Sequence, residues 1–216
     1  MESKIPDFST VRNILTLRYD PLQKTSLPKI DVKNFQNKEP SIKHIEYLIE
    51  KSLNSLSPTP KKITIALSGG IDSTLVLYFL CKVFPESTIE AISIKFTDSI
   101  DESITASKIA EHFGIKHHVV VIENHLKELP KAISIVGLPF WDLHWYYVAK
   151  HAKNFGTYFA SGDGGDEVFG GYTFRYKKFL SLVNTDSSPL QKVKAYLECH
   201  ERDSVPDQGA IFGKNN

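Results

Sequence analysis

The strongest constraint on the fold is an alternation of short apolar segments with helical segments in the middle of the chain. The apolar segments are residues 63–67, 88–96, 117–122 and 157–161. The helical patterns between them cover residues 73–84, 102–114, 125–136 and 143–156, and two of these patterns end at glycine. Strands that alternate with helices predict βαβ units. We therefore expect an α/β fold with a doubly wound, mainly parallel sheet that is flanked by helices on both faces.

The amino-terminal part of the chain has a weaker pattern. Residues 1–40 are polar and are interrupted by four prolines, which predicts an irregular arm. Residues 41–56 have apolar side chains at helical spacing and predict an amphipathic helix. We expect residues 1–60 to pack, as an arm and a helix, on a core domain of residues 61–216 that ends in a short helical segment.

Composition narrows the classes of protein to which the chain can belong. Its 26 basic and 25 acidic residues give a net charge of +1, which supports neither a nucleic-acid partner nor a membrane surface. It has no apolar run of about 20 residues and no signal-peptide core. Cys81 and Cys199 are too far apart in sequence for a CxxC metal or redox site. We expect a cytoplasmic protein that acts on small molecules.

The string Ser-Gly-Gly-Ile-Asp-Ser-Thr, residues 68–74, directly follows the first predicted strand and begins a helix. Its two glycines let main-chain N–H groups approach an anion, and the start of a helix adds N–H donors and a positive dipole. The string lacks the lysine of a Walker loop. Asp72 beside a polyphosphate is explained if its carboxylate binds Mg²⁺. The string therefore predicts a phosphate site with a magnesium ligand.

A second glycine-rich string follows the fourth predicted strand. Residues 161–171 contain five glycines and three carboxylates, those of Asp163, Asp166 and Glu167. Carboxylates this close repel one another unless a cation lies between them or their pKa values rise. A magnesium–pyrophosphate complex supplies that cation. We predict that Asp72 and Asp166, at neighbouring strand ends, bind the same Mg²⁺.

Both strings resemble the signatures of known families. Residues 68–73 resemble the SGGxDS signature of the PP-loop ATP pyrophosphatases, which have an adenine nucleotide alpha hydrolase-like fold. Residues 161–172 resemble the second signature of the asparagine synthetases and their β-lactam-synthetase relatives, SG-[DE]-G-x-DE-x-FGGY. Asp101, Glu102, Ala106 and Ala110 fit that family's D-E-x-x-x-A-x-x-x-A helix. The resemblance covers residues 63–172. It implies an ATP-dependent ligase that adenylates a carboxylate, aspartate by default, releases pyrophosphate and transfers an amine.

The resemblance also implies a role for each residue that matches the motifs. The backbones of Leu67 and Ile94 are expected to contact adenine. The nucleotide and its pyrophosphate are expected to contact Ser68, Gly69, Gly70, Asp72, Ser73, Thr74, Ser161 and Gly162. The catalytic acids are expected to be Asp163, Asp166 and Glu167, with Asp163 standing where many members have glutamate. The cofactors are then ATP and Mg²⁺, the latter held by Asp72 and Asp166.

Two departures from the family pattern shape the expected partners. Residue 2 is glutamate, not the nucleophilic cysteine of the family's glutaminase domain, so we expect the amine to be free ammonia, another amine or the product of a partner subunit. We match no lysine or arginine to the cations of the family's carboxyl-terminal region. Arg175, Lys177 and Lys178 are the candidates that could replace them, and a completing partner or a homodimer is left open.

Two other functions and two minor clusters complete the expectations. A PP-loop enzyme that modifies a tRNA or nucleotide base is one alternative, and a non-catalytic ATP-binding subunit is the other. His117 and His118 point to opposite faces of a strand, which favours structural roles over metal binding. The aromatic residues at positions 141–147 favour core packing, with a role in the acyl pocket as the alternative.

Overall fold

The computed structural model describes residues 8, 9, 12, 31–35, 41–97, 99–136 and 143–200. The strands are β1 Lys62–Ala66, β2 Thr88–Phe96, β3 Lys116–Ile122 and β4 Tyr158–Ala160. The helices are α1 Ile42–Asn54, α2 Ile71–Val83, α3 Ser103–His112, α4 Leu129–Val136, α5 Leu143–Ala152, α6 Gly165–Phe169, α7 Thr173–Leu182 and α8 Pro189–His200. Two short 3₁₀ helices, Val32–Asn34 and His125–Glu128, complete the described elements. The four predicted strands are confirmed, each within one or two residues of its expected bounds.

The four strands form one parallel sheet in the order β3-β2-β1-β4. The strand β1 lies between β2 and β4, with Ile65 paired to Ala91 on one side and to Ala160 on the other. The chain therefore builds the sheet outward from β1 in one direction through β2 and β3. It then returns to the other side of β1 through β4, as in a doubly wound fold.

Each face of the sheet is covered by its own helices, because successive strand residues point to opposite faces. On one face, Ile63 and Ile65 of β1 pack with Leu77 of α2 and Ala106 of α3 in a buried cluster. On the other face, Ile92 of β2 packs with Val148 and Ala152 of α5. The predicted α/β fold with helices on both faces is confirmed.

Histidines 117 and 118 of β3 also lie on opposite faces, as the strand alternation predicts. His117 Nε2 lies 2.8 Å from Ser93 Oγ, and its Nδ1 lies 2.9 Å from Ser107 Oγ of α3. The imidazole of His118 contacts the carboxylate of Glu90 and stacks on the ring of Phe155 at 3.7 Å. Each histidine is thus held by neighbours that tie β3 to the rest of the core.

The environment of His117 predicts how stability changes with pH. Burial lowers the pKa of this imidazole below 6.5, and the nearby His118 lowers it further. Below pH 6.5 the unfolded chain therefore binds a proton more readily than the folded one, so the free energy of unfolding falls as pH decreases. We expect His117→Gln to reduce that slope by a fraction of the ~1.4 kcal/mol per pH unit that one proton supplies. Urea titrations at pH 8 and pH 5.5 measure it.

The exposed His112 provides the matched control for this experiment. We expect His112→Gln to leave the pH dependence of the free energy of unfolding as it is in the wild type. Burial and then the charge of Lys150 also lower the pKa of His151, so some slope remains in His117→Gln. A slope that is equal in both variants contradicts the assigned role of His117.

Two predicted helix ends differ in their physical cause. Gly114 follows α3 with φ of +66°, as expected of a glycine that ends a helix in the left-handed region. Gly156 is different, because α5 ends at Ala152 and a turn follows. A Cβ at Gly156 would lie 2.7 Å from Thr64 Oγ1 and 2.8 Å from Thr64 N. This glycine is required by close approach to β1, and the expectation that it simply ends a helix was wrong.

We expect Gly156→Ala to destabilise the fold by about 1–3 kcal/mol, because the methyl group collides with main-chain atoms of a buried strand. The midpoint of urea unfolding measures the effect. Lys153→Ala, in the exposed turn that precedes Gly156, is the control and is expected to change stability by less than about 0.5 kcal/mol. Equal midpoints for the two variants would show that the approach to Thr64 does not restrict residue 156.

The chain divides into two compact units. One contains residues 39–132 and 142–169 and holds the whole sheet. The other contains residues 1–38, 133–141 and 170–216; in it α7 and α8 pack together, and the ring of Phe35 meets that of Tyr196 edge-on at 5.7 Å. The predicted division into residues 1–60 and a core domain of residues 61–216 stays a prediction. In the part of the chain that the structure describes, every helix is too short or too polar to cross a membrane.

Candidate functional site

The site is defined by the position of β1 in the sheet. Residues 67–70 continue from the carboxyl end of β1, and residues 161–164 continue from the carboxyl end of its neighbour β4. In open α/β sheets, ligands bind in a crevice outside the carboxyl ends of the strands, and both loops lie at that edge of this sheet. Both glycine-rich strings therefore lie side by side, as the sequence predicted.

The first loop is held in shape by its own hydroxyl groups. Ser73 Oγ donates to the carbonyl of Gly70 at 3.2 Å and lies 3.2 Å from Ser68 Oγ. Thr74 Oγ1 donates to the same carbonyl at 2.7 Å. Gly70 is the N-cap of α2 and provides no side-chain cap, so the first N–H groups of this 13-residue helix remain directed toward the loop. This arrangement suits an anion.

Gly69 is required by both conformation and space. Its φ is +83°, and a Cβ there would lie 3.0 Å from Thr105 Cβ on α3. The loop therefore rests directly on the first turns of α3, a contact that the sequence analysis did not predict. The start of α3 is itself fixed by Asp101. Its carboxylate accepts a hydrogen bond from Ser103 N at 3.0 Å and forms an ion pair with Lys95 Nζ at 2.5 Å. The Lys95 contact lowers the pKa of Asp101.

The second loop contacts the first through two glycines. A Cβ at Gly162 would lie 2.6 Å from Ser73 N, and a Cβ at Gly165 would lie 2.5 Å from Asp72 Cγ. Distances this short mean that the main chain of the second loop lies directly against Asp72 and the start of α2. The two strings that sequence analysis placed at neighbouring strand ends are thus in van der Waals contact.

The acidic residues of the second loop lie at the start of α6. Gly165 N donates to the carbonyl of Gly162 at 3.2 Å, and Asp163 N donates to Ser161 Oγ at 3.3 Å. Gly164 has φ of +91°, which turns the chain from the loop into α6. Asp166 and Glu167 follow in the first turn of that helix and are exposed. Asp166 therefore directly follows Gly165, the glycine that touches Asp72.

The donor set fits a metal that the protein shares with a substrate. Within the described ranges, no three His, Cys, Asp or Glu side chains are close enough to hold a metal ion by themselves. Mg²⁺ commonly takes only one or two carboxylates and completes its octahedron with phosphate oxygens and water. Asp72 and Asp166 are suited to that role, and their assignment as magnesium ligands stays a prediction.

The edge of β2 offers a main-chain donor and acceptor beside the loops. Leu67 N donates to the carbonyl of Ile92 at 2.9 Å, so the polar groups of Ile92 face β1. Those of Ile94 face the same side, because main-chain direction alternates along a strand. The pairing of β1 with β2 ends at Ala66 and Ile92. The N–H and C=O of Ile94 therefore face the space beyond the end of β1, next to the first loop.

The aromatic residues of α5 have structural contacts, as sequence analysis favoured. Tyr147 is buried and donates to the carbonyl of His125 at 3.0 Å. Tyr146 donates to Glu128 at 2.7 Å, and this bond raises the pKa of Tyr146 to about 12. Lys150 also contacts Glu128 and, ahead of Tyr146, lowers the pKa of that carboxyl group. Trp141 and Asp142 lie outside the described residues.

The cations proposed to replace the family's carboxyl-terminal lysine and arginine belong to the other unit. Arg175, Lys177 and Lys178 lie in α7, where the Arg175 guanidinium stacks over the ring of Tyr172 at 5.3 Å. Lys178 Nζ donates to the carbonyl of Glu198 at 3.4 Å. A role for these cations toward phosphates stays a prediction.

Comparison with known proteins identifies related sequences. A family model described as asparagine synthase matches residues 44–206. Asparagine synthetase [glutamine-hydrolyzing] 1 of Bacillus subtilis is 32% identical over 168 residues, which are 74% of this chain and 26% of the relative. A putative asparagine synthetase [glutamine-hydrolyzing] 2 of Methanocaldococcus jannaschii is 37% identical over 111 residues, which are 49% and 22%. The chain thus spans about a quarter of the length of these relatives.

Solved structures give weaker likenesses. NMN synthetase from Francisella tularensis superposes with a TM-score of 0.43 at 18% identity, covering 79% of this chain and 77% of that one. Glutamine-dependent NAD⁺ synthetase from Acinetobacter baumannii superposes with a TM-score of 0.39 at 18% identity, covering 58% and 24%. Likenesses of this size carry no argument about function.

Proposed function

We propose, from the premise that this chain belongs to the asparagine synthase family, that it binds ATP and activates a carboxylate for amide formation. The carboxylate oxygen attacks the α-phosphorus of ATP, the bond to the β-phosphate breaks, and pyrophosphate leaves. An amine then attacks the acyl-adenylate, and AMP leaves. Aspartate is the default acyl substrate, because the related proteins are named as asparagine synthetases.

One observation supports this proposal most strongly. Gly162 and Gly165 press the second loop against Ser73 and Asp72 of the first. A loop with main-chain N–H groups and a loop with carboxylates therefore meet at the carboxyl edge of a parallel sheet, where this class of fold binds ligands. Such a pairing suits an anionic nucleotide accompanied by a cation.

The residues are assigned the roles that the resemblance of the two strings implies. The first loop binds the pyrophosphate part of ATP through its N–H groups and hydroxyls. The main chains of Ile94 and Leu67 contact the base. Ser161 and Gly162 contact the nucleotide, and the exposed Asp163 faces the acyl group and the incoming amine. Glu167 adds charge beside Asp166 in the first turn of α6.

Asp72 and Asp166 would hold Mg²⁺ from the two loops. When bound, Mg²⁺ offsets the negative charge that develops on the leaving pyrophosphate. Asp72 is well placed to hold it, because its carboxylate lies in the first turn of α2, next to the N–H groups proposed to bind the same phosphates.

The proposal also covers the source of the amine and the cellular compartment of the reaction. The related proteins are named as glutamine-hydrolysing, so ammonia is the simplest amine that this chain would use. A partner subunit, or a second copy of the chain, would supply the ammonia or the lysine and arginine that neutralise the phosphates. We place the reaction in the cytoplasm, where ATP and reduced cysteines such as Cys81 and Cys199 are maintained.

The proposal is tested by mixing the protein with ATP, MgCl₂, aspartate and ammonium. We expect pyrophosphate and AMP in equal amounts, and neither product without Mg²⁺. Release of ADP and phosphate, or ATP binding without turnover on any amino-acid carboxylate, would contradict the ligase function. Salt-sensitive tRNA binding with no response to aspartate would instead favour the base-modifying alternative.

A further inference from the structure

Ser93 lies between Ile92 and Ile94 in β2, and it is buried with 8% of its surface exposed. Its hydroxyl donates to the carbonyl of Leu67 at 2.5 Å. A serine hydroxyl has one proton, so the same oxygen accepts a hydrogen bond from His117 Nε2, 2.8 Å away. His117 Nδ1 then accepts from Ser107 Oγ at 2.9 Å. The four groups form a directed chain that ends on the residue before the first loop.

The acceptor of this chain has a different partner in a regular parallel ladder. Leu67 N donates to the carbonyl of Ile92, and the next bond of such a ladder joins Ile94 N to the carbonyl of Leu67. The Ser93 hydroxyl takes that carbonyl instead, and the β1–β2 pairing ends at Ala66 and Ile92. Ser93 thus replaces a main-chain bond at the place where the sheet opens toward the crevice.

We propose that Ser93, oriented by His117, is a positioning residue that keeps the N–H and C=O of Ile94 available to read a 6-aminopurine base. This inference rests on the proposed ATP-dependent function. Adenine presents an acceptor at N1 beside an amino donor at C6, which complements an N–H and a C=O on one strand edge. Guanine presents a donor and an acceptor in the reverse order, so the same edge rejects it.

The proposal is tested by calorimetric titration of the protein with Mg-ATP and Mg-GTP. We expect Ser93→Ala to bind ATP about tenfold more weakly and to lose about the same factor of preference for ATP over GTP, because Ile94 N turns to the Leu67 carbonyl. Ser87→Ala is the matched control, since Ser87 Oγ also donates to a main-chain carbonyl, that of Pro60 at 2.6 Å, just before β2 begins. Ser87→Ala is expected to cost similar stability and to keep ATP affinity.

Hydrogen exchange of the Ile94 amide gives a second readout that activity does not influence. In the wild type this amide is expected to exchange quickly until ATP is added. In Ser93→Ala it is expected to be protected without ATP. An Ile94 amide that is already protected in the free wild type overturns the proposal.

The outcomes separate this inference from the proposed function. A wild type that binds neither nucleotide contradicts the ATP function itself. A wild type that binds ATP, beside a Ser93→Ala variant of equal affinity and equal ATP-to-GTP ratio, overturns only the positioning role. Should Ser93→Ala not fold, His117→Gln tests the same chain, and unchanged nucleotide preference in that variant overturns it as well.

Discussion

Asp72→Asn is expected to lower magnesium-dependent pyrophosphate release at least 100-fold. The substitution keeps the size of the side chain and removes the charge that would hold Mg²⁺ against the phosphates, and losses of ~10²–10³ are typical when one such electrostatic contact is removed. Asp72 lies in the first turn of α2, where the helix dipole stabilises a carboxylate. The variant therefore loses at most about 1 kcal/mol of stability. Initial rates over a range of MgCl₂ concentrations measure the effect.

Asp166→Asn is expected to act in the same direction, since both carboxylates are assigned to one ion. Asp186→Asn is the control, because Asp186 is exposed and lies between α7 and α8. Its rate and magnesium dependence are expected to equal those of the wild type. Full activity of Asp72→Asn with unchanged magnesium dependence would remove Asp72 from the metal site.

Gly165→Ala is expected to lower turnover far more than its effect on stability explains. A Cβ at residue 165 would lie 2.5 Å from Asp72 Cγ and 2.7 Å from Asp72 Oδ1, so the carboxylate must turn away from its position. Gly165 itself begins α6, where alanine is favoured over glycine by up to about 1 kcal/mol. We therefore expect a rate at least 100-fold lower, whereas the overlap lowers the free energy of unfolding by at most about 1–3 kcal/mol, part of which the better helix propensity offsets.

Gly114→Ala provides the opposite control for this prediction. Gly114 has φ of +66° and open space around its Cβ position, at the end of α3. Alanine there costs about 1–2 kcal/mol of backbone strain and leaves the loops untouched. We expect lower stability with normal turnover. If both variants lose activity in proportion to stability, the contact between Gly165 and Asp72 has no special role.

The sheet and the meeting of the two loops could be predicted from the sequence because both depend on local patterns. Apolar runs such as residues 88–96 are long enough to specify strands, and an unbroken alternation with helices restricts the connections to parallel ones. Once β1 and β4 are strands, the strings that follow them leave from one edge. The residues that the strings contain then indicate phosphate and metal chemistry.

What could not be predicted depends on distances between segments far apart in the chain. The sequence shows glycines 156 and 165 as ordinary breaks, whereas each is needed because another main chain or side chain comes within 3 Å of its Cβ position. The role of Ser93 was missed for the same reason. A lone serine between Ile92 and Ile94 was a visible signal, but its partners Leu67 and His117 are known only from the fold.

The shortness of β4 has a consequence for how nucleotide binding and folding influence each other. This strand pairs with β1 through only three residues and is the last strand on its side of the described sheet. It nevertheless delivers the loop that rests on Asp72. A nucleotide that bridges the two loops would fasten β4 to its neighbour and slow its local opening, so ligand release and fraying of this strand would be one event.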